Sequence, residues 1–214
     1  MGIIITSEIE QKLKENFIKN LKEPVKLIVF TQELECQYCR ENRILAEELS
    51  KLSPLINLEV YNFLTDKEKV SEYQVEMVPA TVIVGKKDYG IKFYGIPAGY
   101  EFTSLIETIT MISNDNSQLQ EKTKLELQKI TRPINIKVFV TPTCPYCPGA
   151  VILANRFALE SFAVTSAMIE ATEFPHLSNK YQVYAVPKTV INETVTFVGQ
   201  LSEEEFLEKL LSLK

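Results

Sequence analysis

The chain has 214 residues, 45% hydrophobic and 24% charged, with a net charge of −5, ordinary globular values that leave apolar material for two modest cores. The acidic balance, with no basic stripe, speaks against nucleic acid as a partner, and no apolar run reaches the roughly 18–20 residues of a membrane span. Met1-Gly-Ile-Ile-Ile is too short for a signal peptide and lacks a basic flank, so a cytosolic, cytoplasmic location is expected, where cysteine pairs read as redox-active or metal-binding.

Ser7 and Glu10 read as a capping box, and Ile9, Leu13, Phe17 and Leu21 fall at i, i+4, predicting an amphipathic helix that Pro24 stops. Residues 25–30 are a nearly continuous β-prone run, the mark of a buried strand. A helix then follows Cys36-Gln-Tyr-Cys39 through Ile44, Leu45, Leu49 and Leu52. Next come a strand at 57–61, a polar helix near 66–73, a hairpin of 80–84 with 91–94, and a helix from Glu101 to about Ser113. Asn114-Asp-Asn-Ser117 marks a boundary, and residues 117–130 read as a connecting helix ended by Pro133. The series then repeats: a strand at 136–140, a helix at 147–162, a strand at 165–169, a short helix near 174–180, a hairpin at 188–198 and a helix from Ser202 onward.

The repetition extends to individual residues. Cys36-Gln-Tyr-Cys39 recurs 108 residues later as Cys144-Pro-Tyr-Cys147, and Tyr73-Gln-Val-x-x-Val78-Pro79-x-Thr81-Val82 recurs at the same offset as Tyr181-Gln-Val-x-x-Val186-Pro187-x-Thr189-Val190. This period is too long for a solenoid unit of about 20–50 residues and is the size of a small domain. Two domains are expected, 1–116 and 117–214, each an α/β unit with a mixed central sheet and helices on both faces. They are not electrostatic twins: the first carries 13 Lys/Arg against 18 Asp/Glu, the second 10 against 10.

All four cysteines lie in the two Cys-x-x-Cys pairs, each where a strand gives way to a helix. A first sulfur at a helix N-terminus meets unpaired N–H groups and the positive end of the dipole, which stabilise a thiolate. The second cysteine, on the same face, can attack the resulting mixed disulfide and release the substrate. Such a pair moves two electrons with no cofactor. Two alternatives stay open: a zinc protein with all four thiolates as ligands, and an iron–sulfur carrier using Cys144.

Strand, Cys-x-x-Cys helix and a later Val-Pro before a hairpin resemble the thioredoxin superfamily. Cys144-Pro-Tyr-Cys147 is the glutaredoxin active-site tetrapeptide, and the tandem arrangement resembles the glutaredoxin-like protein disulfide oxidoreductases of thermophilic archaea and bacteria. The resemblance implies an enzyme that reduces, forms or isomerises protein disulfides. It implies Cys36 and Cys144 as exposed attacking thiols, Cys39 and Cys147 as resolving thiols, and cis bonds at Val78–Pro79 and Val186–Pro187. Val78 and Val186 would then offer main-chain hydrogen bonds to the substrate. Tyr38 and Tyr146, between the cysteines, are candidates to shape the substrate groove. The implied electron donor is a separate thioredoxin-reductase-like flavoenzyme, since the glycines here make no nucleotide-cradling pattern.

The departures are specific. Glu35 and Thr143 replace the tryptophan that commonly precedes the thioredoxin motif, and Phe30 and Val138 stand where thioredoxins keep a buried acid. A proton acceptor for the resolving cysteine must come from elsewhere; Glu33 or Glu35 could serve in the first unit. Those same two acids would raise the Cys36 pKa, whereas Pro145 suits a first helical position and no charge precedes Cys144. The second site is therefore expected to hold the more acidic nucleophile and more of the activity. The lone histidine, His176, reads as a surface or capping residue.

Overall fold

The computed structural model describes residues 5–212. The first unit runs α1 (Ser7–Asn20), β1 (Val25–Thr31), α2 (Cys39–Ser50), β2 (Ile56–Asn62), α3 (Lys67–Glu72), β3 (Ala80–Val84), β4 (Asp88–Tyr94) and α4 (Glu101–Asn114). The second runs α5 (Glu121–Gln128), β5 (Ile134–Val140), α6 (Cys147–Glu160), β6 (Val164–Glu170), α7 (Pro175–Lys180), β7 (Lys188–Ile191), β8 (Val195–Val198) and α8 (Glu203–Leu211). Asp115, at φ +48°, ends α4 in the left-handed conformation that asparagine and aspartate tolerate.

The two sheets are one. The strand order is β2-β1-β3-β4-β6-β5-β7-β8, and the units join where β4 pairs in parallel with β6, from Ile91 with Ser166 to Tyr94 with Ile169. One face packs α1, α2, α4, α5, α6 and α8 around residues such as Leu27, Phe93, Val138 and Met168. The other packs α3 and α7 around Ile28, Phe30, Phe139 and Ile169. The alternation within strands explains the division, because successive side chains point to opposite faces. Strands β1, β4, β6 and β5 all run the same way, so both Cys-x-x-Cys motifs emerge at one edge of the sheet. Four strand spacings separate β1 from β5, about 19 Å, with roughly 80–100° of accumulated twist.

Two local expectations are corrected. The cap of α1 is Thr6, whose Oγ1 accepts from Ile9 N, and Ser7 is the first helical residue; a complete capping box occurs instead at Ser202 and Glu205. The helices start at the second cysteine of each motif, Cys39 and Cys147, with Tyr38 and Tyr146 at the cap positions. Pro145 therefore lies ahead of α6, and the proline of its first turn is Pro148.

Candidate active site

Each dithiol is closed as a disulfide with a Cα–Cα distance of 5.5 Å. The buried strands β1 and β5 fix the approach, and the first turns of α2 and α6 fix Cys39 and Cys147, which are fully enclosed. Cys36 is half-buried and Cys144 keeps 8% exposure, so the first cysteine of each pair is the more accessible, although Cys144 is less open than an exposed thiol. The Val78–Pro79 and Val186–Pro187 bonds are both cis. Cys144 Sγ lies 3.8 Å from the Val186 carbonyl oxygen. In the first unit the Gln32 N–H donates to Cys39 Sγ at 3.4 Å. The structure thus gathers Cys144, Cys147, Val186 and Pro187 at one place and Cys36 and Cys39 at another.

The surroundings differ. Cys36 opens on a cavity of about 530 Å³ lined by Glu33, Arg40, Arg43, Tyr61 and Asp66. Glu33 and Glu35 are exposed, with Glu35 at φ +56°. Near Cys144 in sequence or beside Val186 the exposed residues include Tyr146, within the motif, and Tyr184, two residues before Val186, together with Thr143, Pro145 and Ala185. Tyr38, the counterpart of Tyr146, is half-buried and accepts from Gln37 Nε2 at its hydroxyl. His176 is exposed beside the Phe174 ring.

A buried carboxyl that sequence reasoning missed stands at the start of α4, the helix that lies along α6. Glu101, the first residue of α4, is 1% exposed, yet it belongs to the other unit. The Tyr100 N–H donates to the Pro142 carbonyl at 2.9 Å, seating the start of α4 against the loop that leads to Cys144. Further along, Asn155 Nδ2 on α6 donates to Thr108 Oγ1 at 2.9 Å, and Thr108 Oγ1 donates to the Ser104 carbonyl at 2.6 Å. The two helices therefore run side by side in the same direction. Seven or eight residues before that pair, about 10–12 Å along each helix, Glu101 comes level with Cys147 and Pro148. Ser104 Oγ hydrogen-bonds Glu101 Oε2, while Oε1 is buried with no hydrogen-bond partner among the described residues. Burial pushes this carboxyl up to about 7, the Ser104 bond opposing.

The loop between β4 and α4 has a second anchor. Glu173 Oε1 accepts from the Ile96 N–H at 2.7 Å, and burial, with the Glu170 charge adding to it, raises Glu173 to about 7. Gly99, at φ +60°, has no room for a side chain, because a Cβ there would overlap the Pro142 carbonyl oxygen.

Comparison with known proteins agrees with this architecture. The thioredoxin domain family pattern matches residues 25–107 and again 134–212. A protein disulfide oxidoreductase from Aeropyrum pernix superimposes with a TM-score of 0.90 at 34% identity, over 97% of this chain and 92% of that one. The alkylhydroperoxide reductase protein AhpF of Enterococcus faecalis superimposes with a TM-score of 0.87 at 26% identity, covering 96% of this chain and 98% of the solved one. A Bacillus subtilis protein named NADH dehydrogenase is 26% identical over 149 residues, 69% of this chain. The aligned region spans only 29% of that relative's length. Two thioredoxin domains, matched in sequence and superimposed in structure across nearly the whole chain, place this protein in the thioredoxin-domain family as a tandem member.

Proposed function

We propose that the protein is a dithiol–disulfide oxidoreductase acting on protein disulfides, with Cys144 as its principal nucleophile. The observation that carries this reading is the second dithiol itself, with the Cys144 sulfur beside the Val186 carbonyl and a buried carboxyl of pKa about 7 level with Cys147 along the neighbouring helix. In the reducing direction the Cys144 thiolate attacks one sulfur of the substrate disulfide, and the other sulfur leaves as a thiolate. The Cys147 thiolate then attacks Cys144 Sγ, closes the internal disulfide and expels the second substrate thiol. Glu101 takes the proton from Cys147, a task suited to a base whose pKa lies near the operating pH. Val186 and Pro187, with Tyr146, line the approach of the substrate chain; Val78, Pro79 and Tyr38 do so at Cys36–Cys39.

The unit boundary at 116/117 follows from the same reading, with the twist that the first unit lends Glu101 to the second. Electrons come from a separate thioredoxin-reductase-like flavoenzyme. The matches to longer proteins, one named NADH dehydrogenase and others named as alkyl hydroperoxide reductase components, support a reductive partner; this chain spans about 30% of their length. The four-thiolate zinc reading fails on distance, because pairs about 19 Å apart cannot share an ion with bonds of about 2.3 Å.

Dithiothreitol-driven insulin reduction tests the proposal. Wild type should outpace the uncatalysed reaction, Cys144→Ser should fall to that baseline, and Cys36→Ser should keep most of the rate. Loss only with Cys36→Ser would reverse the ranking of the sites. A wild type that equals the blank, with visible absorbance after anaerobic purification, would favour the iron–sulfur reading.

A further inference from the structure

On the sheet face that carries α3 and α7, no helix among the described residues covers the seam between the units. Two adjoining cavities of about 220 and 70 Å³ share Gln74, Gly90, Lys92 and Thr165. Lys92 lies on β4 and is 8% exposed. Among the described residues it has no hydrogen-bond or ion-pair partner, although its side chain lines both cavities. The stem is enclosed while the ammonium keeps contact with the water of those cavities. Burial lowers its pKa, against the weaker opposing pull of Asp88 and Glu76.

The register places a second cation opposite. Ala167 on β6 pairs with Lys92 on one side and with Lys137 on the other. The two lysines, one from each unit, thus flank a small side chain at about 9–10 Å between Cα atoms, on the same sheet face. Lys137 also lines the smaller cavity, while its ammonium pairs with Glu193, outside that lining, and lies over the Tyr181 ring. Thr165 and Asn135, hydrogen-bonded to each other, add polar groups to that cavity. The facing acids sit at the rim: Glu76 and Asp88 are exposed, Asp88 Oδ1 accepts from Gly90 N, and Glu72 is paired with Lys69. The duplicated position marks Lys92 as particular to the seam, since its counterpart in the second hairpin, opposite Val190 as Lys92 is opposite Val82, is Thr196.

We propose that this seam is a binding site for a small oxyanion of the phosphate class, held by Lys92 with Lys137 across Ala167. The smaller cavity has room for several waters, the scale of one such group, and ammonium point charges suit phosphate. The anion would tie the two units together where only β4 and β6 join the sheet.

Calorimetric titration of inorganic phosphate into the full chain at fixed ionic strength tests this. Wild type should bind one phosphate per chain, Lys92→Met should weaken binding at least tenfold, and Lys137→Met should weaken it less. Unchanged insulin turnover in Lys92→Met would show that the fold is intact. No saturable binding by wild type, or the same Kd in wild type and Lys92→Met, would overturn the site.

Discussion

The two dithiols share a motif, a strand–helix junction and a sheet edge, yet they stand in different chemical company. The first opens on a polar cavity with arginines and exposed acids. The second has its first cysteine more deeply buried, carries the exposed Tyr146 within its motif, and lies beside α4 of the other unit, which begins with the buried Glu101. The duplication copied the cysteines and not their setting. Strand pairing between β4 and β6 made the difference, because it lays α4 of the first unit along α6 of the second. α8, the counterpart of α4 in the second unit, follows the last strand and has no third unit beside it among the described residues.

Glu101→Gln should do most to erase the inequality of the two sites. If Glu101 moves the Cys147 proton, kcat for insulin reduction falls about 100-fold and the pH–rate limb near 7 disappears, while Cys36–Cys39 chemistry is untouched. The same change should stabilise the fold. The unfolded chain loses this proton near pH 4.5 and the folded chain near 7. The group's contribution is therefore fully present below pH 4.5 and is lost as pH rises through about 7, by roughly 3 kcal/mol. Urea unfolding of wild type and Glu101→Gln from pH 4 to 8 should show the two curves separating across that window. Coincident curves would mean that Glu101 is ionised at no cost and does not hold a raised pKa.

Gly99→Ala tests whether the loop anchors position Glu101. Its Cβ meets the Pro142 oxygen, and a residue at φ +60° other than glycine adds strain, together costing about 1–3 kcal/mol. Turnover should drop with stability, most at the second site, as read by insulin reduction in a Cys36→Ser background. Next in size is Tyr184→Ala, which removes one aromatic wall beside Val186. KM for a polypeptide substrate should rise about fivefold, equivalent to about 1 kcal/mol, with kcat little changed. Least should come from Glu33→Gln with Glu35→Gln. Exposed charges are screened, so the iodoacetamide reactivity of reduced Cys36 should change less than about twofold. A tenfold gain would restore those acids as the cause of the inequality between the sites.

Much of this protein was legible in its residues. Apolar runs such as 25–30, the paired motifs and the 108-residue offset pointed to two thioredoxin-like units and to the four cysteines, because strand burial and dithiol chemistry are local properties of residue type and spacing. Helix starts were less legible: Thr6 and Ser7 are equally good caps in sequence, and backbone geometry chose Thr6. Glu101 could not be found that way. An acid at the start of a helix is ordinary, since the dipole favours it there, and nothing nearby in sequence distinguishes an exposed first-turn glutamate from a buried one. Lys92 is the same case, one cation in an otherwise ordinary strand. Both owe their character to the β4–β6 junction. Residue type and spacing establish which groups can carry electrons. The pairing of strands from separate units, a long-range contact, settles which carboxyl loses its water and which ammonium faces the seam.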